Sequence, residues 1–199
     1  IEWGIDWVMH SATKYLGGHT DLIGGALIAA PGTDHKRIYD ARKVLGGVMD
    51  PHAAFLVNRG MMTLAVRIER QCATALALAQ WAQTHPKITK VHHPGLAEHP
   101  GHDIAKRQMR AFGAMMALDI SGGYDAAARF IDNLKLFSLL ANIGDAKSLV
   151  IHPASPTHQQ LTPAERQETG VTDDFIRLSV GLENIDDILE DLDQALRKT

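Results

Sequence analysis

The chain has 199 residues, of which 45% are hydrophobic and 22% are charged, and its net charge is −3. This composition is typical of a globular protein with one large or two small domains, and the lack of a basic block argues against nucleic-acid binding. No apolar run in the sequence reaches the length of a membrane span. The single cysteine, Cys72, excludes an internal disulfide and favours a reducing compartment, so we expect a cytoplasmic protein.

Strands and helices alternate in the first part of the chain. The patterns predict strands at residues 6–9 and 24–32 and helices at 33–47, 50–60 and 61–84. In the long third helix, residues Leu64, Ile68, Cys72, Ala75 and Ala79 recur at steps of three and four, as on one helix face. The residues predicted to fall largely on its other faces are Arg67, Arg70 and Gln71.

The second part of the chain has a similar alternation. Strands are predicted at 114–120, 148–152 and 175–181, and a helix at 125–134. A last helix follows Asn184, which is suited to cap it, and has an apolar stripe of Ile185, Ile188, Leu189, Leu192 and Leu196. This order of elements predicts an α/β or α+β fold.

The strand at 175–181, FIRLSVG, has two different faces. Because side chains alternate along a strand, Ile176, Leu178 and Val180 share one face and Arg177 lies on the other. The planar guanidinium of Arg177 is suited to bind a carboxylate, but the same pattern also describes an arginine that faces solvent.

The segment HSATKYLGGH, residues 10–19, admits three interpretations. Ser11 and Lys14 match the S-x-x-K pattern of a serine nucleophile with a lysine base, but the downstream S-D-N and K-T-G motifs that accompany it are absent. Lys14 could also be a surface lysine in a polar turn. Its place after a buried strand and before Gly17 and Gly18 favours a third possibility, a lysine that binds a cofactor.

A lysine that forms a Schiff base needs a site that lowers its pKa, and a phosphate beside it needs short hydrogen-bond donors. Ser11 and Thr13 closely precede this lysine. In an extended segment, residues two apart share a face, so both hydroxyls could reach one phosphate. The residues alone therefore indicate an aldehyde cofactor that carries a phosphate.

Four blocks of sequence resemble the cystathionine γ-synthase family, the pyridoxal-phosphate (PLP) enzymes of cysteine and methionine metabolism. They are DWVMHSATKYLGGHTDLIGGALIA (6–29), NRGMMTLAVRIERQ (58–71), NIGDAKSLVIHPASPTHQQLTPAERQETGV (142–171) and RLSVGLENIDDILEDLDQAL (177–196). The blocks occur in the family's order, and the resemblance covers essentially the whole chain.

The resemblance implies a role for each matching residue. Lys14 would form the Schiff base with PLP and transfer protons, and Ser11 and Thr13 would bind the phosphate. Arg177 would bind the substrate α-carboxylate, and Ser148 would lie near the lysine and the substrate. Without the resemblance, a serine such as Ser148 at a strand start is usually a local cap. Thr157 is assigned to the same region.

The resemblance also implies the architecture and assembly. The chain would be the C-terminal part of a fold-type I PLP-dependent transferase. Residues 1–62 would complete the large PLP-binding domain, and residues 63–199 would form a smaller α+β domain led by a long linking helix. The family further implies a dimer of dimers whose active sites are shared between subunits.

The predicted activity is γ-replacement on an activated homoserine, O-acetyl- or O-succinylhomoserine, with a sulfur nucleophile. Residues 142–163 resemble O-acetylhomoserine sulfhydrylases and, in part, methionine γ-lyases, whereas residues 41–67 are closer to cystathionine γ-synthases and γ-lyases. A γ-elimination lyase is therefore the alternative. An interpretation of a different class is a truncated, cofactor-free remnant with an interaction role.

Two further features of the sequence concern metal binding and the extent of the chain. Histidines cluster at residues 92–102, but their spacing fits no helix-borne metal pair, so we predict a polar loop and no metal site. The chain begins at Ile1 without an initiator methionine, and the family's aspartate that contacts the pyridine nitrogen would lie upstream. We therefore expect a fragment that is inactive or poorly soluble by itself.

Overall fold

A computed structural model describes residues 1–154 and 172–199 of the chain. It divides the chain into two compact units, residues 1–65 and 66–199. Thr157 lies outside the described residues, and the assignment of 1–62 and 63–199 to two domains of an enzyme stays a prediction. Within the described ranges, no helix has the length and apolar character needed to cross a membrane.

The first unit is a two-stranded sheet followed by two helices. Its elements are β1 (Trp7–Ser11), a π-helical turn (Ala12–Leu16), β2 (Gly25–Ala29), α1 (Lys36–Leu45) and α2 (Pro51–Met61). The strands are antiparallel, with Ser11 opposite Gly25. Helix α2 begins sharply because the side chain of Asp50 accepts hydrogen bonds from the backbone N–H groups of His52 and Ala53, and Pro51 occupies the first turn.

The first unit buries little apolar surface. Its apolar cluster contains only Ala12, Leu22 and Ala53 as buried members within the described residues, whereas Met9 on β1 is 80% exposed. Ala12 opens the turn that contains Lys14, so this small cluster anchors the predicted cofactor segment.

The second unit contains a five-stranded sheet with helices packed on one face. Its first helix, α3 (Leu64–Ala82), begins two residues before the boundary of the unit at Val66. The further elements are β3 (Ile88–His92), α4 (His102–Gln108), β4 (Met115–Ile120), α5 (Gly123–Asn133), β5 (Ser138–Leu139), β6 (Leu149–Ile151), β7 (Phe175–Ser179) and α6 (Ile185–Leu196). The strand order is β3-β4-β7-β6-β5, and β5 and β6 form the parallel pair. The mixed α/β composition agrees with the predicted fold class.

Strand β7 lies in the centre of this sheet and carries its core. Ile176, Leu178 and Val180 are fully buried, and they pack with apolar residues of α3, α5 and α6. Arg177 pairs with Ala117 on one side and Ile151 on the other. Because side chains alternate along a strand, Arg177 lies on the face opposite to Ile176, Leu178 and Val180. The predicted alternation of β7 is confirmed.

Helix α3 differs from its prediction. Arg67 and Gln71, expected largely on faces other than the apolar one, are themselves 4% and 0% exposed. Burial lowers the pKa of the Arg67 guanidinium. The apolar periodicity identified Cys72, Ala75 and Ala79 correctly as buried, but it could not register polar residues that bind backbone groups elsewhere in the fold.

Three elements of the second unit were not predicted, namely strand β3, helix α4 and the two-residue strand β5. Strand β3 is an edge strand, and its polar Thr89 and Lys90 hide the alternation. Helix α4 has a single buried residue, Ala105, and therefore shows no apolar stripe. The predicted loop at 92–102 is correspondingly shorter, since His92 ends β3 and His102 begins α4.

The histidines of this connection stabilise its turns. The Nδ1 atom of buried His93 accepts a hydrogen bond from the backbone N–H of Gly95 at 3.1 Å, and its Nε2 atom lies 3.3 Å from the carbonyl oxygen of Gly113. Burial lowers the pKa of His93, which favours the neutral ring that this arrangement needs. Residues 1–154 and 172–199 contain no cluster of three side chains suited to hold a metal ion.

A buried carboxylate fastens α6 to the connection between α5 and β5. Asp191 is 6% exposed. One of its oxygens lies 2.8 Å from the backbone nitrogen of Lys135, and the other lies 2.8 Å from that of Leu136 and 3.3 Å from that of Phe137. Removal of this side chain would leave three backbone donors without their acceptor.

We therefore predict that Asp191→Ala lowers the free energy of unfolding by about 2–3 kcal/mol, the usual cost of unsatisfied buried groups. The measurement is urea denaturation followed by circular dichroism. Glu190→Ala is the control, because Glu190 is the neighbouring exposed carboxylate on the same helix. Equal effects of the two substitutions would contradict the prediction.

Candidate active site

Lys14 lies in a tight turn at the end of β1. The backbone N–H groups of Ala12 and Thr13 both point to the carbonyl oxygen of Gly24, at 2.8 and 3.4 Å. Lys14 itself leaves helical geometry, with φ −94° and ψ −127°, and its side chain is half-buried. The backbone N–H of Gly18 donates to the carbonyl of Lys14 at 2.8 Å, so the turn is closed on both sides of the lysine.

Helix α2 packs closely against this turn. A Cβ atom added at Gly60 would lie 2.7 Å from the carbonyl oxygen of Leu16 and even closer to that of Gly17. A Cβ atom at Gly17 would lie 2.9 Å from the carbonyl oxygen of Ala12. Both glycines are therefore required by close backbone contact, which fixes the position of the segment that carries Lys14.

The hydroxyls of Ser11 and Thr13 do not have the arrangement expected from an extended segment. Ser11 is extended and exposed at the end of β1, but the helical turn begins at Ala12, so Thr13 is no longer on the same strand. The hydroxyl oxygen of Thr13 accepts a hydrogen bond from the backbone N–H of Gly24 at 3.1 Å. The phosphate-binding roles of both residues stay predictions.

Ser148, in the second unit, is fully buried and has a complete set of partners. Its hydroxyl donates to one carboxylate oxygen of Glu183 at 2.8 Å, and its backbone N–H donates to the other at 2.8 Å. The backbone N–H of Gly181 donates to the Ser148 hydroxyl oxygen at 2.9 Å. The structure thus surrounds this hydroxyl with protein groups.

Arg177 is half-buried on the face of β7 away from the apolar core. Its Nη2 atom donates to the carbonyl oxygen of Asn142 at 3.3 Å. Burial lowers the pKa of Arg177 from its usual value, but an arginine remains charged at neutral pH. A partly desolvated guanidinium with a fixed backbone partner is well suited to bind a carboxylate.

The predicted site residues thus form two groups, one in each unit. Ser11, Thr13 and Lys14 follow one another at the end of β1, and Ser148 and Arg177 are joined through the loop at 142–148. Sequence reasoning missed Glu183, which holds Ser148. The only local signal for this contact was the glycine that follows β7, because a glycine at a strand end often marks a close backbone approach.

Comparison with known proteins identifies the class to which this arrangement belongs. Residues 1–197 match the family described as Cys/Met metabolism PLP-dependent enzymes. The chain belongs to this family of PLP-dependent enzymes. The resemblance found in the sequence is confirmed.

Individual relatives carry different activities. The chain is 44% identical to an L-methionine γ-lyase of Fusobacterium nucleatum over 100% of its own length and 50% of the relative. It is 40% identical to an O-succinylhomoserine sulfhydrylase of Pseudomonas aeruginosa over 98% of its length and 48% of the relative. The crystal structure of a cystathionine γ-synthase from Xanthomonas oryzae pv. oryzae matches 99% of the chain, with a TM-score of 0.94 and 40% identity.

This match confirms the fold class, and the chain covers 51% of that crystallised protein. The chain therefore spans about half the length of the relatives it matches.

The described residues are chemically compatible with PLP. The site offers a half-buried primary amine, two hydroxyls on residues just before it and a turn fixed by close glycine contacts. These groups are suited to an aldehyde that carries a phosphate. Lys14 would hold the aldehyde, and Ser11 and Thr13 would bind the phosphate.

We predict that Gly60→Ala disturbs this turn, since the new methyl group would overlap the backbone of Leu16 and Gly17. The expected loss of stability is about 1–3 kcal/mol, as for other overpacked sites, with weaker PLP binding. Gly47→Ala is the control, because a Cβ atom there meets no neighbour within 4 Å. Thermal unfolding and PLP titration would measure both effects, and unchanged PLP affinity in Gly60→Ala would contradict the prediction.

Proposed function

We propose that this chain provides the lysine and the carboxylate-binding arginine of a PLP-dependent enzyme that removes the γ-substituent of an amino acid. The finer proposal is γ-replacement on O-acetyl- or O-succinylhomoserine by a sulfur nucleophile. The observation that supports the role of the lysine is its half-buried position on a turn held by Gly17 and Gly60, in a chain of the PLP-dependent family.

Lys14 would bind the cofactor and move protons. When bound, PLP withdraws electrons from the amino acid attached to it, which makes the α-proton removable. The amine of Lys14 would take this proton and give it up again to the bound cofactor. It could then take a proton from the β-carbon, after which the γ-substituent can leave with its bonding electrons. The backbone hydrogen bonds on both sides of Lys14 fix the point from which its side chain extends, which limits the region that the amine can reach.

Arg177 would select the substrate by its carboxylate. Its charge and its half-buried position make a two-point ion pair with a carboxylate stronger than at a fully exposed site. The carbonyl oxygen of Asn142 restricts the guanidinium. Arg177 would therefore serve amino acids with different γ-substituents equally well.

Replacement and elimination share these steps and diverge after the γ-substituent has left. Replacement is supported by the block at 142–163 and by the relative named O-succinylhomoserine sulfhydrylase. Elimination is the second candidate, supported by the relatives named L-methionine γ-lyase at 44% and 45% identity.

The proposed setting follows from the family and the composition. We propose a homo-oligomer, a dimer of dimers with shared active sites, on the basis of the family resemblance. A cytoplasmic location is supported by the single cysteine of the sequence. The amino-acid substrate is the proposed small-molecule partner.

The first prediction of this proposal concerns Lys14. In the full-length protein incubated with PLP, borohydride reduction should leave the cofactor attached to the peptide that contains Lys14, and Lys14→Arg should abolish this adduct. Peptide mass spectrometry measures both. The control is Lys36→Arg, a change at an exposed lysine of α1. Labelling spread over surface lysines, or none, would favour the cofactor-free remnant instead.

The second prediction separates the two reactions. With O-acetylhomoserine and sulfide, a replacing enzyme forms homocysteine and acetate; an eliminating enzyme uses water and forms 2-oxobutanoate, ammonia and acetate. We expect homocysteine to be the main product, measured by mass spectrometry. Release of methanethiol and 2-oxobutanoate from methionine, without homocysteine from the activated homoserine, would establish the lyase.

A further inference from the structure

We propose that Glu183 is a positioning residue that holds the loop at 142–148 and thereby orients Arg177 for the substrate carboxylate. This inference rests on the proposed role of Arg177. It also changes the role of Ser148, which would act through the loop instead of touching the substrate.

The carboxylate of Glu183 binds Ser148 at two points. Both oxygens of Glu183 are used, and both go to Ser148, one to its backbone N–H and one to its hydroxyl, each at 2.8 Å. The hydroxyl oxygen in turn accepts from the backbone N–H of Gly181 at 2.9 Å. Ser148 is 0% exposed and Glu183 is half-buried, so the contacts are partly shielded from water, which strengthens charge-assisted hydrogen bonds.

The backbone around the contact between Glu183 and Ser148 is closely packed. A Cβ atom at Gly181 would lie 2.5 Å from the backbone nitrogen of Ser148 and in closer contact with the Glu183 carboxylate. The strand end after β7 and the start of β6 are therefore pressed together. The close packing keeps the two segments from moving nearer, and the hydrogen bonds of Ser148 to Glu183 and Gly181 keep them from separating.

Hydrogen bonds connect this loop to Arg177 and to its strand. The loop begins at Asn142, whose carbonyl oxygen accepts from Arg177. Between its ends, the backbone N–H of Gly144 donates to the hydroxyl of Ser179, which lies on the same face of β7 as Arg177. Gln71 of α3 donates from its side-chain amide to the carbonyl of Asp145 at 2.7 Å. A displacement at Ser148 would thus shift the backbone that restrains the guanidinium.

A carboxylate suits this position better than an amide. The Ser148 hydroxyl already accepts from Gly181, so it needs an acceptor for its own proton. A glutamine would offer its oxygen to the backbone N–H of Ser148 but present a donor to the hydroxyl. We therefore expect Glu183→Gln to retain part of the function and Glu183→Ala to lose more of it.

The test measures carboxylate recognition without turnover, in the full-length holoenzyme. L-norleucine has the length of methionine but no γ-leaving group, and its carboxamide lacks the charge that Arg177 would bind. Calorimetry gives the ratio of the two dissociation constants. In Glu183→Ala this preference for the carboxylate should fall about tenfold, with a smaller fall in Glu183→Gln and in Ser148→Ala.

Asp191→Ala is the matched control, because Asp191 is also a carboxylate of this unit that accepts backbone N–H groups of a loop. It should lower stability while leaving the ratio unchanged. An unchanged ratio in Glu183→Ala and Glu183→Gln, or an equal fall in Asp191→Ala, would overturn the inference. A wild-type protein without any preference would overturn it together with the role of Arg177, and the Lys14 adduct would show whether the rest of the proposed function stands.

Discussion

The alternation of strand β7 is the constraint on which the second unit depends. Ile176, Leu178 and Val180 are fully buried in its main core, and this requires Arg177 to lie on the opposite face. A shift of one residue in register would place a guanidinium among apolar helices, at a prohibitive cost of desolvation. The same pattern that folds the sheet therefore also presents the residue proposed to bind the substrate.

Elements with their own periodicity could be predicted from the sequence. Helix α6 is an example, because Asn184 caps it and its apolar stripe includes buried Ile188, Leu192 and Leu196. Strand β3 and helix α4 were missed, since an edge strand and a helix of seven residues bury too little to leave a pattern. The extended geometry assumed for Ser11 and Thr13 was wrong, because a turn held by the distant Gly24 replaces it.

Contacts between side chains and remote backbone groups could not be predicted. Asp191 binds Lys135 across 56 residues of sequence, and Glu183 binds Ser148 across 35. Neither acidic residue has a local pattern that separates it from its exposed neighbours. Each binds backbone N–H groups that lie outside helices and strands. Such groups have no partner in regular structure and need another acceptor when they are buried. Such acceptors become visible only when the strands have been placed.

The hydrogen bonds that hold the turn of Lys14 and the loop at 142–148 are also compatible with more than one reaction in the proposed function. In the proposed function, a lysine amine on a fixed turn and an arginine restrained by a loop would serve whether the γ-substituent is replaced or eliminated. Neither proposed role involves the atoms by which a sulfur nucleophile differs from water. The relatives at 40–45% identity carry the names of lyases and of a sulfhydrylase, as roles shared by both reactions lead us to expect. The choice between the two reactions must then depend on which nucleophile is admitted after the γ-substituent has left.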